Sequence, residues 1–149
     1  MKDSIKMKGK LKIVLRDKDG NIKDQREVNN LVVDAGKDYI AQRMSGDTSS
    51  SVASVMSHMA VGTGSTAAGA GDTTLGTELD RNALDSTTVT DNDVVYVATY
   101  AAGDATGSLT EAGIFNASTG GDMLCRTVFP TVTKGAGDAL TITWTVTVG

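Results

Sequence analysis

Residues 140–148 read "LTITWTVTV", and this stretch decides the fold class. Leu140, Ile142, Trp144, Val146 and Val148 alternate without a break with Thr141, Thr143, Thr145 and Thr147. Successive side chains of a strand point to opposite faces, so the pattern describes a half-buried strand. Its five apolar residues, Trp144 among them, turn to a core, and β-branched threonines make up the other face.

The same period occurs near the start of the chain. Leu11, Ile13 and Leu15 alternate with Lys10, Lys12, Val14 and Arg16 before "DKDGN" (17–21), and Ile22 to Val28 can return as the second arm of a hairpin. Further strands are expected at "HMAVG" (58–62), near Ala83 to Thr90, and at "VVYVATYAA" (94–102). "LTEAGIFNA" (109–117) and "MLCRTVFPTVT" (123–133) form a pair joined by "STGG". Only "NNLVVDAGKDYIAQRM" (29–44) changes period. There Tyr39, Ile40 and Met44 lie roughly one helical turn apart and Asp34 can cap, which predicts one short helix, weakened by Gly36. "SGDTSSSVASVMS" (45–57) has no sustained period and reads as an exposed loop. The expectation is an antiparallel β-sandwich of jelly-roll type with one short helix. It is a single domain, 1–149, with residues 1–9 as a basic arm.

Composition narrows the function classes. Seventeen glycines, one proline and 4% aromatics favour β structure with long loops over a helical bundle. With one cysteine and one histidine, an intrachain disulfide, a paired-cysteine zinc site and a histidine-rich metal site are excluded. A net charge of −4 is the wrong sign for a protein whose main task is binding nucleic acid. Lysines interrupt the apolar residues of the N-terminus, so no signal peptide is expected, and no apolar run is long enough for a membrane span. Positive charge gathers at one end: Lys2, Lys6, Lys8, Lys10, Lys12 and Arg16 face only Asp3.

One motif raises the question of an enzyme. In "AVGTGSTAAGAGDTTLG" (60–76), Gly62, Gly64 and Ala67 match the G-x-G-x-x-A spacing of dinucleotide loops. Such a loop needs a helix opening at the third small residue, whose N-terminus holds the phosphate. "AGAGDTT" follows instead, and each interior glycine costs a helix ~1 kcal/mol. No G-K-[ST] ending is present either, so no cofactor is expected. Asp17, Asp19 and Asn21 suggest a calcium loop, but Gly20 comes too early and no glutamate occupies the twelfth position. His58 and Cys125 are the sole candidates for a nucleophilic pair, and neither has an activating neighbour in sequence. Cys125 reads as a small buried hydrophobe. Asp72, Glu78, Asp80 and Glu111 read as solvated carboxylates, so no catalytic residue is assigned.

Four segments together are similar to small structural proteins of tailed bacteriophages. They are "NNLVVDAGKDYIAQRM", "MAVGTGSTAAGAGDTTLGTELDR" (59–81), "GSLTEAGIFNA" (107–117) and "MLCRTVFPTVTKGAGDALTITWTVTV" (123–148). The resemblance covers about Asn29 to Val148 and implies a non-enzymatic virion protein. Capsid decoration is the first role it implies, with the major capsid protein as partner and a dimer or trimer as the oligomer. A tail, baseplate or fibre component is the second. It brings no active site. On this reading the contacts with a partner fall to Lys2, Lys6 and Lys8 in the basic arm and to Gly62, Gly64, Gly69 and Gly71 in a loop that becomes ordered on assembly. The expected location is the outer capsid surface, after synthesis in the host cytoplasm. A sugar-binding β-sandwich is a third reading, and it would need Trp144, Tyr96 or Tyr100 exposed for stacking.

Overall fold

The computed structural model describes residues 4–45 and 53–149. In chain order the elements are β1 (Met7–Arg16), β2 (Ile22–Val32), α1 (Asp34–Ser45), β3 (His58–Gly62), β4 (Glu78–Ala83) and β5 (Ser86–Thr90), then β6 (Asp93–Tyr100), β7 (Gly107–Phe115), β8 (Met123–Lys134) and β9 (Ala139–Val148). The nine strands form one curled antiparallel sheet in the order β4-β3-β7-β8-β2-β1-β9-β6-β5. The protein is mainly β with one helix among the described residues, as its alternating sequence requires.

The alternating stretch is β9, and it lies between β1 and β6. Trp144 stands opposite Leu11 on one side and Tyr96 on the other, Ile142 between Ile13 and Ala98, and Leu140 between Leu15 and Tyr100. These rows form one apolar layer, and Trp144 is fully buried in it. The threonines face outward in register with Lys8, Lys10, Lys12 and Val14 of β1.

Two sheet halves share this core. β2 pairs with β1 from Ile22 to Asn30, and its last two residues, Leu31 and Val32, pair with Arg126 and Cys125 of β8. A single long strand thereby joins the halves. Met59 and Val61 of β3, Leu109, Ala112 and Ile114 of β7, and Cys125, Phe129 and Val132 of β8 close the core from the other half. The Tyr100 hydroxyl donates to the Met59 carbonyl across the interior. The chain also crosses between halves at two consecutive residues: the Leu84 N–H donates to the Ser57 carbonyl and the Asp85 N–H to the Val97 carbonyl. The strand expected near Ala83 to Thr90 is β5, Ser86–Thr90; β4, Glu78–Ala83, just before it, is a further strand that was not expected, and the two lie at opposite edges of the sheet.

Several boundaries also move. β1 begins at Met7, so residues 7–9 of the expected arm are strand, with Met7 opposite Val148 and Gly9 opposite Asn30. β2 runs on to Val32 because its end is needed by β8. The "DKDGN" turn closes as a hairpin, the Asp17 carboxylate accepting the N–H groups of Asp19 and Asn21 at 2.9 Å each, with Gly20 at φ +83°.

The glycine-rich segment covers the outer face of the β3-β7-β8 half, with Ala35 at the start of α1 beside it, while Tyr39 and Ile40 of α1 pack against the main core. A second apolar cluster of Val33, Ala60, Leu75, Phe115 and Met123, with Ala35 packed against it, marks that contact. Covered on both faces, β7 and β8 are buried almost continuously over residues 111–115 and 123–127. Gly36 lies against β8 so closely that a Cβ there would stand 2.1 Å from the Leu124 carbonyl oxygen. Of the three residues expected on one helical face, Tyr39 is buried, Ile40 packs at the core margin and Met44 is exposed.

Candidate functional site

The glycine-rich segment does cradle an anion, and the anion belongs to the same chain. Glu111 is fully buried beneath it. One carboxylate oxygen accepts the N–H groups of Gly64 (2.8 Å) and Thr77 (2.7 Å), and the other accepts that of Gly76 (2.8 Å). Arg126, itself buried, donates to the second oxygen through Nε (3.1 Å) and Nη2 (2.9 Å). Its Nη1 reaches Asp72 at 2.8 Å and its Nη2 the Thr66 carbonyl at 3.0 Å. Glu111 thus ties both ends of the loop, Gly64 and Gly76-Thr77, to the sheet, and the Arg126 guanidinium holds Thr66 and Asp72 between them.

An irregularity in the β7–β8 pairing puts the carboxylate there, with the extra residues on β8: Leu109 pairs with Val132 and Glu111 with Val128. Leu109 points into the core, and strict alternation would turn Glu111 the same way. The register shift between Leu109 and Glu111 reverses the parity, so Glu111 emerges on the loop side. Burial alone would raise its pKa; the N–H groups of Thr77 and Gly76, the Arg126 guanidinium and the Gly64 N–H outweigh that and hold it below the usual value. The expected solvated carboxylate is the anchor of a network, and Asp72 belongs to it.

This geometry divides the four glycines assigned to partner contact. A Cβ on Gly62 would meet the Thr77 carbonyl oxygen at 2.3 Å, and one on Gly64 would meet Glu111 Oε1 at 2.4 Å. Both are glycine because the loop closes on Glu111. Gly69 and Gly71 sit at the outer turn, where a Cβ on Gly71 would meet nothing within 4 Å. The loop that was expected to await a partner is held by its own chain.

Of the basic arm, Lys6 and Lys8 are exposed, and Lys2 lies outside the described residues. The described residues also form an apolar groove of about 510 Å³, lined by Ile5 and Met7 before and in β1, Leu31 and Val32 at the end of β2, Ile40 and Met44 on α1, and Val148 at the end of β9. Eight large apolar side chains are exposed among the described residues, and four of them, Ile5, Leu31, Met44 and Val148, line this one groove. Met44 is 75% exposed and Ile5 70%. Lys37 also lines it, with its ammonium on Asp34 at 3.0 Å. Four separate elements contribute, so no local motif announces the groove. The one sequence signal was Val148, an apolar residue that ends an alternating strand where little core remains to cover it.

The remaining candidates are placed as follows. Cys125 is buried, and burial pushes its thiol above the ordinary range. The His58 ring is hydrogen-bonded to the neighbouring Ser57 hydroxyl at 2.8 Å. All six aromatic residues, including Trp144, Tyr96 and Tyr100, are buried, so none offers a stacking platform for a sugar ring. In comparisons with known proteins, no family model, curated protein or solved structure matches this chain.

Proposed function

We propose that this chain is a non-enzymatic virion structural protein that decorates the outer surface of a tailed-phage capsid. The observation that carries the reading is the convergence, on one groove, of half of the large apolar side chains exposed among the described residues. Contiguous exposed apolar surface with a polar rim is the form of a protein-docking site. The resemblance of four chain segments to phage structural proteins supplies the context, and the major capsid protein is the partner it names. The finer view of the fold as a jelly-roll sandwich belongs to the same proposal: two facing sheet halves over one core are the scaffold it requires.

The mechanism is area and repetition. A contact of roughly 1,600 Å², repeated around a shell by dimers or trimers of the protein, resists outward pressure without any single strong bond. A rigid sheet suits that task, because little order has to be gained when it docks. Lys6, and Lys8 on the outward face opposite Thr147, would speed encounter with an acidic capsid surface. No cofactor, nucleic acid or membrane enters the proposal. Antibody-labelled negative-stain imaging of virions carrying this chain tests it: label over the shell is expected. Label confined to the tail would move the protein to the tail, baseplate or fibre role, and unlabelled particles would overturn the virion reading.

A further inference from the structure

We propose that the open edge of β5 is a docking strand for an extended segment of a partner protein with cationic ends. The inference rests on the edge alone and stands whether or not the chain belongs to a virion. β5 is the last strand of the sheet, all five of its residues are exposed, and Val89 is 69% exposed. Thr90 stands opposite Asp93, which makes Asp91-Asn92 a two-residue hairpin turn, with Asp91 at φ +53°. In such a hairpin the flanking pair is hydrogen-bonded, and alternation then turns the N–H and C=O of Thr87 and Val89 away from β6. Those groups form a pairing template.

The two edges of the sheet are built differently. Edges are commonly guarded by charged residues, proline or a bulge. β4 carries Glu78, Asp80 and Arg81 and pairs with β3 through a register shift at Val61/Gly62. "STTVT" of β5 has none of these devices. Thr87 and Val89 lie on the face of Tyr96 and Val94, the core side, where they form an uncovered shelf at the sheet margin.

Charge selects the occupant. From Asp85 to Tyr100 the chain has three aspartates, Asp85, Asp91 and Asp93, and no lysine or arginine; β9, the next strand, has neither. Asp93 is engaged by the Thr147 hydroxyl, whereas Asp85 and Asp91 are exposed at the two ends of β5. A second copy pairing antiparallel about Thr88 would set Asp85 of one chain against Asp91 of the other at both ends, and like charges placed opposite are unfavourable. The flanks that repel a second copy attract a strand ending in Lys or Arg, so discrimination comes from both terms. Main-chain bonds to Thr87 and Val89 would supply affinity, and the shelf would receive alternate side chains of the partner.

The test is amide-resolved NMR titration with two synthetic peptides of the same middle, Lys-Thr-Val-Thr-Val-Thr-Lys and Glu-Thr-Val-Thr-Val-Thr-Glu. The lysine-ended peptide is expected to shift the Thr87 and Val89 amides saturably, at least about fivefold more tightly than the glutamate-ended one, with the gap narrowing as salt screens the flanks. Val89→Pro removes an outward N–H while leaving β5–β6 pairing its own donors, and it is expected to abolish binding. Where that variant unfolds, the pair Asp85→Lys and Asp91→Lys decides, by reversing the preference between the peptides. Equal affinity for both peptides, no shift, shifts away from β5, or an unreversed preference would overturn the inference. So would self-association of the protein alone at neutral pH that broadens Thr87 and Val89, which would make a second copy the occupant.

Discussion

Glu111 occupies the place where a phosphate would sit if the glycine-rich loop were a nucleotide cradle, and three backbone N–H groups already point at it. Removing it would leave those donors and the Arg126 guanidinium buried without their partner. Glu111→Ala should therefore cost about 3–5 kcal/mol, read as a lower midpoint in urea unfolding. Its folded pKa lies below the unfolded one, so the stability it contributes is fully present above pH ~4.5 and is lost as pH falls through the folded value. Acid titration of wild type against Glu111→Gln should show that loss in the wild type only. Within the loop, Gly62→Ala meets the fixed Thr77 carbonyl and should cost about 1–3 kcal/mol, whereas Gly71→Ala faces open space and should fall within about 0.5 kcal/mol of wild type. The sequence showed the loop and showed that it lacked a following helix. It did not show the carboxylate, because Glu111 is 47 residues from Gly64 and only the irregularity in the β7–β8 pairing turns it to that side. Arg126 within the apolar run "MLCRTVF" was the available hint, since a buried arginine requires an anionic or carbonyl partner.

Among the elements, those that alternate strictly were legible, since period 2 with one buried face leaves a single register and a single inward set. β9 and β1 are of this kind. β4 was not legible, because it is a polar edge strand and the link from it to β5, Leu84-Asp85, carries no turn signal. α1 shows a signal that was present with its meaning hidden. Gly36 lowers helix propensity, and the structure explains it by the approach of the helix to the Leu124 carbonyl. Gly36→Ala should gain up to ~1 kcal/mol of helix propensity and lose more by driving α1 off β8. The expected net effect is a lower melting temperature by circular dichroism; a higher one would show that the packing yields.

For the protein as a unit, the central claim is that it works by docking through the groove between α1 and the ends of β1, β2 and β9. The groove was illegible in sequence because Ile5, Leu31, Met44 and Val148 come together only through the sheet order. Because β1 begins at Met7, removing the first seven residues would damage the groove as well as the arm, so charge reversal at Lys6 and Lys8 is the cleaner change. Lys6→Glu with Lys8→Glu should slow attachment to capsid shells at low salt and do little at high salt, as stopped-flow or surface-binding kinetics would show. The most direct measurement is co-sedimentation with capsid shells stripped of this protein, comparing wild type with Met44→Asp. Met44 is exposed, so the substitution should leave the melting temperature unchanged. The account predicts that wild type sediments with the shells and that Met44→Asp binds at least about tenfold more weakly, a loss of ~1.4 kcal/mol or more. Sedimentation of Met44→Asp equal to wild type, or wild type remaining in the supernatant, would contradict it.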